Sequence, residues 1–158
     1  MNIHGLNDIC LTLATDDRET VTNVVANNQT KGSGRGNKTW FSKQGTSLIC
    51  SILLKQKFAT EKLGLHSLLI PIGIILGIRK LSNIPLSIKW PNDICYNDKK
   101  LGGILIETKK IGNELIFNIG FGINVNETIE DFPAHLRIKA TSLKILINDE
   151  IQREILLA

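Results

Sequence analysis

The second half of the chain constrains the fold most. From Leu86 onward, apolar residues come in short runs: Leu86 to Lys89, Ile94 to Tyr96, Leu101 to Glu107 and Leu115 to Val125. Turn dipeptides, Asn97-Asp98 and Gly112-Asn113, lie between them. Such pairs supply the positive φ that tight hairpin turns need, so this half predicts an antiparallel meander rather than alternating βαβ units. Val21 to Asn27 and Thr46 to Leu54 read as two earlier strands, the second buried. Leu65 to Leu81 predicts the principal helix, apolar on most faces, with Arg79 and Lys80 where cations suit the C-terminal dipole. Pro71 marks a first turn or a kink in it. Asp8 to Ala14 predicts a short helix, and Asp149 to Leu157 a final one. Runs of strands with a few helices define an α+β class, a mixed and largely antiparallel sheet packed by helices.

A chain of 158 residues suits one domain, and 42% apolar content suits a folded core. The net charge of +4 is far from the footprint of a dedicated nucleic-acid binder and equally serves a nucleotide's phosphates. The first residues lack the basic-then-apolar pattern of a secretory signal. The most apolar run, Leu68 to Ile78, is interrupted by Pro71, Gly73 and Gly77 and falls short of the roughly 20 residues a bilayer span needs. Cys10, Cys50 and Cys95 show no CxxC or metal-ligand spacing, which predicts buried thiols and a cytoplasmic protein without a membrane partner.

Two segments carry chemistry. In Gly32-Ser33-Gly34-Arg35-Gly36-Asn37-Lys38-Thr39, three glycines let backbone N–H groups approach an anion, while Arg35 and Lys38 add fixed charge. The stretch nearly matches a phosphate-binding P-loop. However, Asn37 stands at a required glycine, and Trp40-Phe41 and Gly45 follow where a helix must open. The GxGxG spacing also fails the dinucleotide fingerprint. An anion-binding loop between strands remains, and so does a plain surface loop.

In Lys89-Trp90-Pro91-Asn92-Asp93, a lysine ends an apolar strand beside a stiffened turn. Such a lysine meets a negative ligand or pairs with an acid, here Asp93. Trp90 offers an apolar wall. Lys99-Lys100 precedes Leu101-Gly102-Gly103-Ile104-Leu105-Ile106-Glu107, whose strand glycines suggest close approach of a ligand or another backbone. A solvated hairpin tip with basic edge residues fits the lysines as well. Gly120 and Gly122 sit in a further apolar strand, with Asn124 and Asn126 on one face opposite Ile123 and Val125.

Together, Gly32 to Trp40, Lys89 to Asp93, Lys100 to Glu107 and Gly120 to Asn126 resemble, in order and spacing, four motifs of the catalytic domain of biotin protein ligases. Ala140-Thr141-Ser142-Leu143 resembles a fifth. The resemblance runs from about Asn7 to the end. It implies a class II synthetase-like, biotin/lipoate ligase fold. The implied activity forms biotinyl-5′-AMP from biotin and ATP with Mg2+, then transfers biotin to a lysine of the biotin carboxyl carrier protein of acetyl-CoA carboxylase or a related carboxylase. Carried over residue by residue, Lys89 and Arg35 are the implied catalytic pair, Lys89 stabilising charge on the carboxylate and α-phosphate. Gln29, Gly32 and Gly34 are implied around the biotin ureido and loop backbone, and Trp40 near adenine. Asn92 and Asp93 would shape the site, Asp93 being the candidate for placing Mg2+. Lys100 is implied near the carboxylate or phosphate and Asn124 near the nucleotide. Ser33, Lys38 and Gly102 complete the implied binding set.

The chain departs from the family pattern at Gly5-Leu6-Asn7, where Ser-Thr-Asn is usual, and at Ser33, where the loop's first arginine is usual. The strand that normally precedes Ser-Thr-Asn is expected to be missing. Residues 1–158 then read as one catalytic domain lacking the DNA-binding and C-terminal β-barrel domains, with no DNA partner. The sequence leaves a homodimer open. Two other functions remain: a degenerate module that holds biotin or nucleotide without turnover, and a lipoate-type ligase.

Overall fold

A computed structural model of the chain describes residues 2–3, 5–6, 21–56, 63–111 and 114–157. The predicted helix at Asp8 to Ala14 and the Gly112-Asn113 turn lie outside them. Ten strands are described: β1 Asn2–Ile3, β2 Val21–Ala26, β3 Asn28–Gln29, β4 Gly32–Ser33, β5 Thr39–Trp40, β6 Ser47–Gln56, β7 Ser87–Lys89, β8 Asp93–Tyr96, β9 Lys99–Ile111 and β10 Glu114–Asn124. Six of them form one antiparallel sheet in the order β2-β6-β10-β9-β8-β7. The β8–β9 hairpin turns on Asn97 and Asp98, both at positive φ (44° and 63°), as the dipeptide demands. One expectation is corrected at the start of the chain: β1 precedes Gly5 and pairs parallel with β3.

Side-chain alternation gives this sheet two different faces. One register row, Leu48–Ile123–Gly102–Ile94–Ile88, crosses five strands. Leu48, Ile123 and Ile94 are buried in the main core with Leu101, Val125 and Leu143. Helix α1, Leu63–Leu81, covers this face with Ile75 and Ile78. Its burial is one-sided, contrary to the all-round apolar pattern. Leu69, Ile72 and Leu76 are exposed, because among the described residues only the sheet side is packed. Pro71 lies inside the helix, buried, where its missing N–H leaves the Ser67 carbonyl without its usual partner.

The end of the chain also differs from expectation. The α-helix falls earlier, as α2 at Leu143–Ile147, and Arg153–Leu157 forms a 3₁₀ turn. Ser142 is the cause: its hydroxyl accepts from Ile145 N–H at 3.2 Å, capping α2. Asn148 then ends the helix in the left-handed region (φ 61°).

Candidate active site

The opposite face of the sheet carries a second register row, Ala26–Ile49–Gly122–Gly103–Asp93–Lys89, crossing all six strands. It runs from aliphatic side chains at β2 and β6, over two glycines, to a carboxylate and an ammonium at β8 and β7. Five inter-strand spacings of about 4.8 Å make the row roughly 24 Å long. A cavity of about 940 Å³ lies over it.

The two central glycines are notches that other side chains fill. A Cβ on Gly122 would stand 2.6 Å from the ring of Trp40, so the indole rests on bare backbone. A Cβ on Gly103 would stand 3.1 Å from the Lys100 ammonium. Lys100 and Gly103 share a face although three residues apart, an odd offset that regular alternation forbids. A β-bulge resolves this. Ile94 pairs with Gly102 but Cys95 pairs with Lys100, so Leu101 is the extra residue, turned into the core with no exposure. The bulge re-aims Lys100 into the cavity.

There the Lys100 ammonium makes an ion pair with Asp93 Oδ1 at 2.7 Å and lies 5.5 Å from the centroid of Trp40. Its backbone also holds the next wall. Lys100 N–H donates to the Lys139 carbonyl at 2.7 Å, and its carbonyl accepts from Thr141 N–H at 2.9 Å. Asn124 adds a bond from Nδ2 to the Thr141 carbonyl at 2.9 Å. Asp93 thus belongs to Lys100, not to Lys89 as the sequence suggested. Lys89, across the hairpin from Asp93, is exposed and has no ion pair among the described residues.

The glycine-rich loop is a small hairpin between β4 and β5, closed by Gly34 N–H to the Lys38 carbonyl at 2.7 Å. Gly36 sits at φ 65° at its tip, where a side chain would strain the backbone. Arg35 and Lys38 project from it, exposed, at the cavity. Trp40 Nε1 is buried without an acceptor among the described residues, a donor that a ligand can satisfy. At the apolar end, Leu6 and Ile49 pack together. The Leu6 N–H donates to Gln29 Oε1 at 2.9 Å, which leaves the Gln29 amide nitrogen as the group for a ligand acceptor. At the other end, Asn92 bonds the Ile104 carbonyl through Nδ2 at 2.7 Å and accepts from Ile104 N–H at 2.9 Å, fixing the turn.

Of the predicted site residues, Gln29, Ser33, Gly34, Arg35, Lys38 and Trp40 line this cavity. So do Lys89, Asn92, Asp93, Lys100 and Asn124. Two do not. Gly102 faces the core side, where a Cβ would meet Ile123 at 2.5 Å. At Gly32 a Cβ would stand 2.6 Å from the Trp40 carbonyl oxygen, so the glycine lets β4 and β5 close. Trp90, expected as a wall, lines the cavity while 70% exposed. The sequence reading missed Phe132, Leu136 and Lys139, which line it from an irregular segment without periodicity. It also missed Cys50 and Cys95 as lining residues. Burial, then Asp93, pushes the Cys95 thiol above its ordinary pKa, so it is a poor nucleophile. Asn126, expected to share the face of Asn124, turns instead to Ile151.

No group of three His, Cys, Asp or Glu that could hold a metal occurs among the described residues. Asp93 is already held by Lys100. No helix among the described residues is long and apolar enough to cross a membrane.

An α+β sheet with an apolar-to-cationic groove on one face suits a ligand with one apolar and one anionic end, and comparison with known proteins is specific about the family. Residues 11–126 match the model of the biotin/lipoate A/B protein ligase family, and the chain belongs to that family. It is 37% identical over 142 residues to the bifunctional ligase/repressor BirA of Bacillus subtilis, covering 89% of this chain and 44% of that protein. It is 33% identical over 112 residues to the human biotin–protein ligase, covering 66% and 15%. A solved biotin protein ligase from Aquifex aeolicus in complex with biotin and ATP superposes with a TM-score of 0.82 at 30% identity, over 99% of this chain and 62% of that one. The chain thus spans less than half the length of the Bacillus relative. The expectation of no DNA partner gains no support here, since that relative is named as a repressor as well.

Proposed function

We propose that this domain activates biotin with ATP and transfers it to a lysine of a biotin carboxyl carrier protein. The observation that carries the reading is the register row from Ile49 to Lys89, which supplies one apolar and one charged end on a single groove floor. The Aquifex protein, solved with biotin and ATP, supports the ligand assignment.

In this reading the fused rings of biotin lie at Leu6, Ile49 and Gln29, and its carboxylate reaches the cationic end. A carboxylate oxygen attacks the α-phosphorus of ATP. The new acyl–phosphate bond forms as the bond to the β-phosphate oxygen breaks, and pyrophosphate leaves. Lys89 and Arg35 face the charge that develops there, and neither is held in an ion pair among the described residues. Lys100 is fixed by Asp93 and Trp40, so it orients rather than moves. The acceptor ε-amine then attacks the acyl carbon, an amide forms, AMP departs, and the amine proton passes to solvent. Mg2+ enters as part of the ATP substrate, held by its phosphates.

Biotin-dependent ATP–pyrophosphate exchange tests the first step, and transfer of labelled biotin to a carrier domain tests the second. Exchange with transfer is the expected result. Tight biotin binding with no exchange would establish a binding module instead, and exchange driven by lipoate but not biotin would establish the lipoate-type ligase.

A further inference from the structure

The mechanism leaves the C-terminal turn without a task, yet its first residue reaches deep into the sheet. Arg153 Nη1 donates to the Ser47 carbonyl and Nη2 to Asn27 Oδ1, both at 3.0 Å. Ser47 opens β6, two residues before Ile49. Asn27 joins β2 to β3, two residues before Gln29. The Asn27 carbonyl is also engaged, accepting from Gly45 N–H at 3.0 Å. The turn is itself fastened to the sheet: the Asn126 side chain donates to the Ile151 carbonyl at 2.8 Å and accepts from Ile151 N–H at 3.0 Å. Asn126 lies two residues beyond Asn124. One planar guanidinium therefore ties together the two backbone segments that carry the apolar end of the cavity, from an anchor on a third.

We infer that Arg153 is a positioning residue for the head of the substrate, acting through Asn27 on Gln29 and through Ser47 on Ile49. It does not line the cavity itself. Its geometry needs a fork, because the two acceptors lie on different segments and each takes one N–H. The consequence is selective. Loss of the fork loosens the end that grips the ring system and leaves Lys89, at the far end of the row, where it is. The inference rests on the proposed biotin-activating reading.

The test compares Arg153→Ala, Arg153→Lys and Asn27→Ala in the full chain. Biotin affinity is measured calorimetrically without ATP, and KM and kcat are measured by pyrophosphate exchange. Arg153→Ala is expected to weaken biotin about tenfold while kcat and the KM for ATP stay within twofold. Arg153→Lys, with one ammonium for two acceptors, recovers part of the loss. Asn27→Ala weakens biotin as well, and its effect is not additive with that of Arg153→Ala, as coupled residues require. Equal losses toward biotin and ATP, or a lower melting temperature with unchanged biotin affinity, would overturn the inference. A wild-type chain that binds no biotin would instead overturn the functional reading. In that case hydrogen exchange at the Gly45 amide decides on Arg153. Faster exchange in Arg153→Ala supports its hold on the Asn27 segment, and unchanged exchange refutes it.

Discussion

The indole of Trp40 rests on Gly122: a Cβ there would stand 2.6 Å from Cε2 and 2.9 Å from Nε1. Gly122→Ala must therefore displace the ring. Overpacking of this kind costs about 1–3 kcal/mol. We expect a lower melting temperature, altered tryptophan fluorescence and at least tenfold weaker ligand binding. Gly73→Ala is the matched control. A Cβ there meets nothing within 4 Å, on an exposed turn of α1, so alanine should stabilise by about 0.5–1 kcal/mol.

Lys89 is exposed and holds no ion pair among the described residues, so its removal should leave the fold intact. Lys89→Ala is expected to lower pyrophosphate exchange at least a hundredfold with the melting temperature within two degrees, as loss of a single charge stabiliser does. Full exchange in this variant would remove Lys89 from the mechanism.

Asp93 holds Lys100, and the pair is partly exposed at 28% and 38%. Asp93→Asn should cost no more than about 1 kcal/mol of stability, as partly solvated pairs do. Its effect belongs to function. With its anchor gone, Lys100 can leave the Trp40 ring, and exchange should fall several-fold with a raised KM for ATP. A Lys100→Ala variant should show no further loss when combined with it.

Glu127 is fully buried, and the hydroxyls of Thr46, at 2.9 Å, and Ser47 both donate to its Oε1. Its Oε2 has no partner among the described residues. Burial pushes its carboxyl above the ordinary 4.5, against the opposing pull of the Ser47 hydrogen bond. The folded state therefore binds the proton more tightly than the unfolded one. The stability from this group is full below about pH 4.5 and is lost as pH rises through the folded value. Glu127→Gln mimics the protonated acid. Denaturation from pH 4 to 8 should show a flatter profile for this variant, with its largest relative gain at pH 8.

The sequence announced what local chemistry controls. Asn97-Asp98 form the hairpin turn because few residues other than glycine accept positive φ. The glycine loop lies between strands because Trp40 and Gly45 leave no room for a helix after it. Pairings across the sheet were harder to read. Lys89 and Asp93 are close in sequence and oppose each other in register, yet the carboxylate goes to Lys100. That outcome depends on a bulge at Leu101, and no side-chain pattern in Lys99 to Glu107 marks it. For Gly102 and Gly103, adjacency in sequence meant opposite faces, so only one of them reaches the cavity. Arg153 was hidden because both its partners are more than a hundred residues away. The wall from Phe132 to Ala140 has no period, so only the tertiary fold reveals it.

The row beneath the groove also acts as a ruler. Its marks are strands, and the distance between them is set by backbone hydrogen bonds rather than by any side chain. Substitutions along it can change which groups a substrate meets but not how far apart the meeting points stand. A substrate longer or shorter than that span would need a strand gained or lost, so point mutation can retune this domain's chemistry more readily than the length of what it accepts.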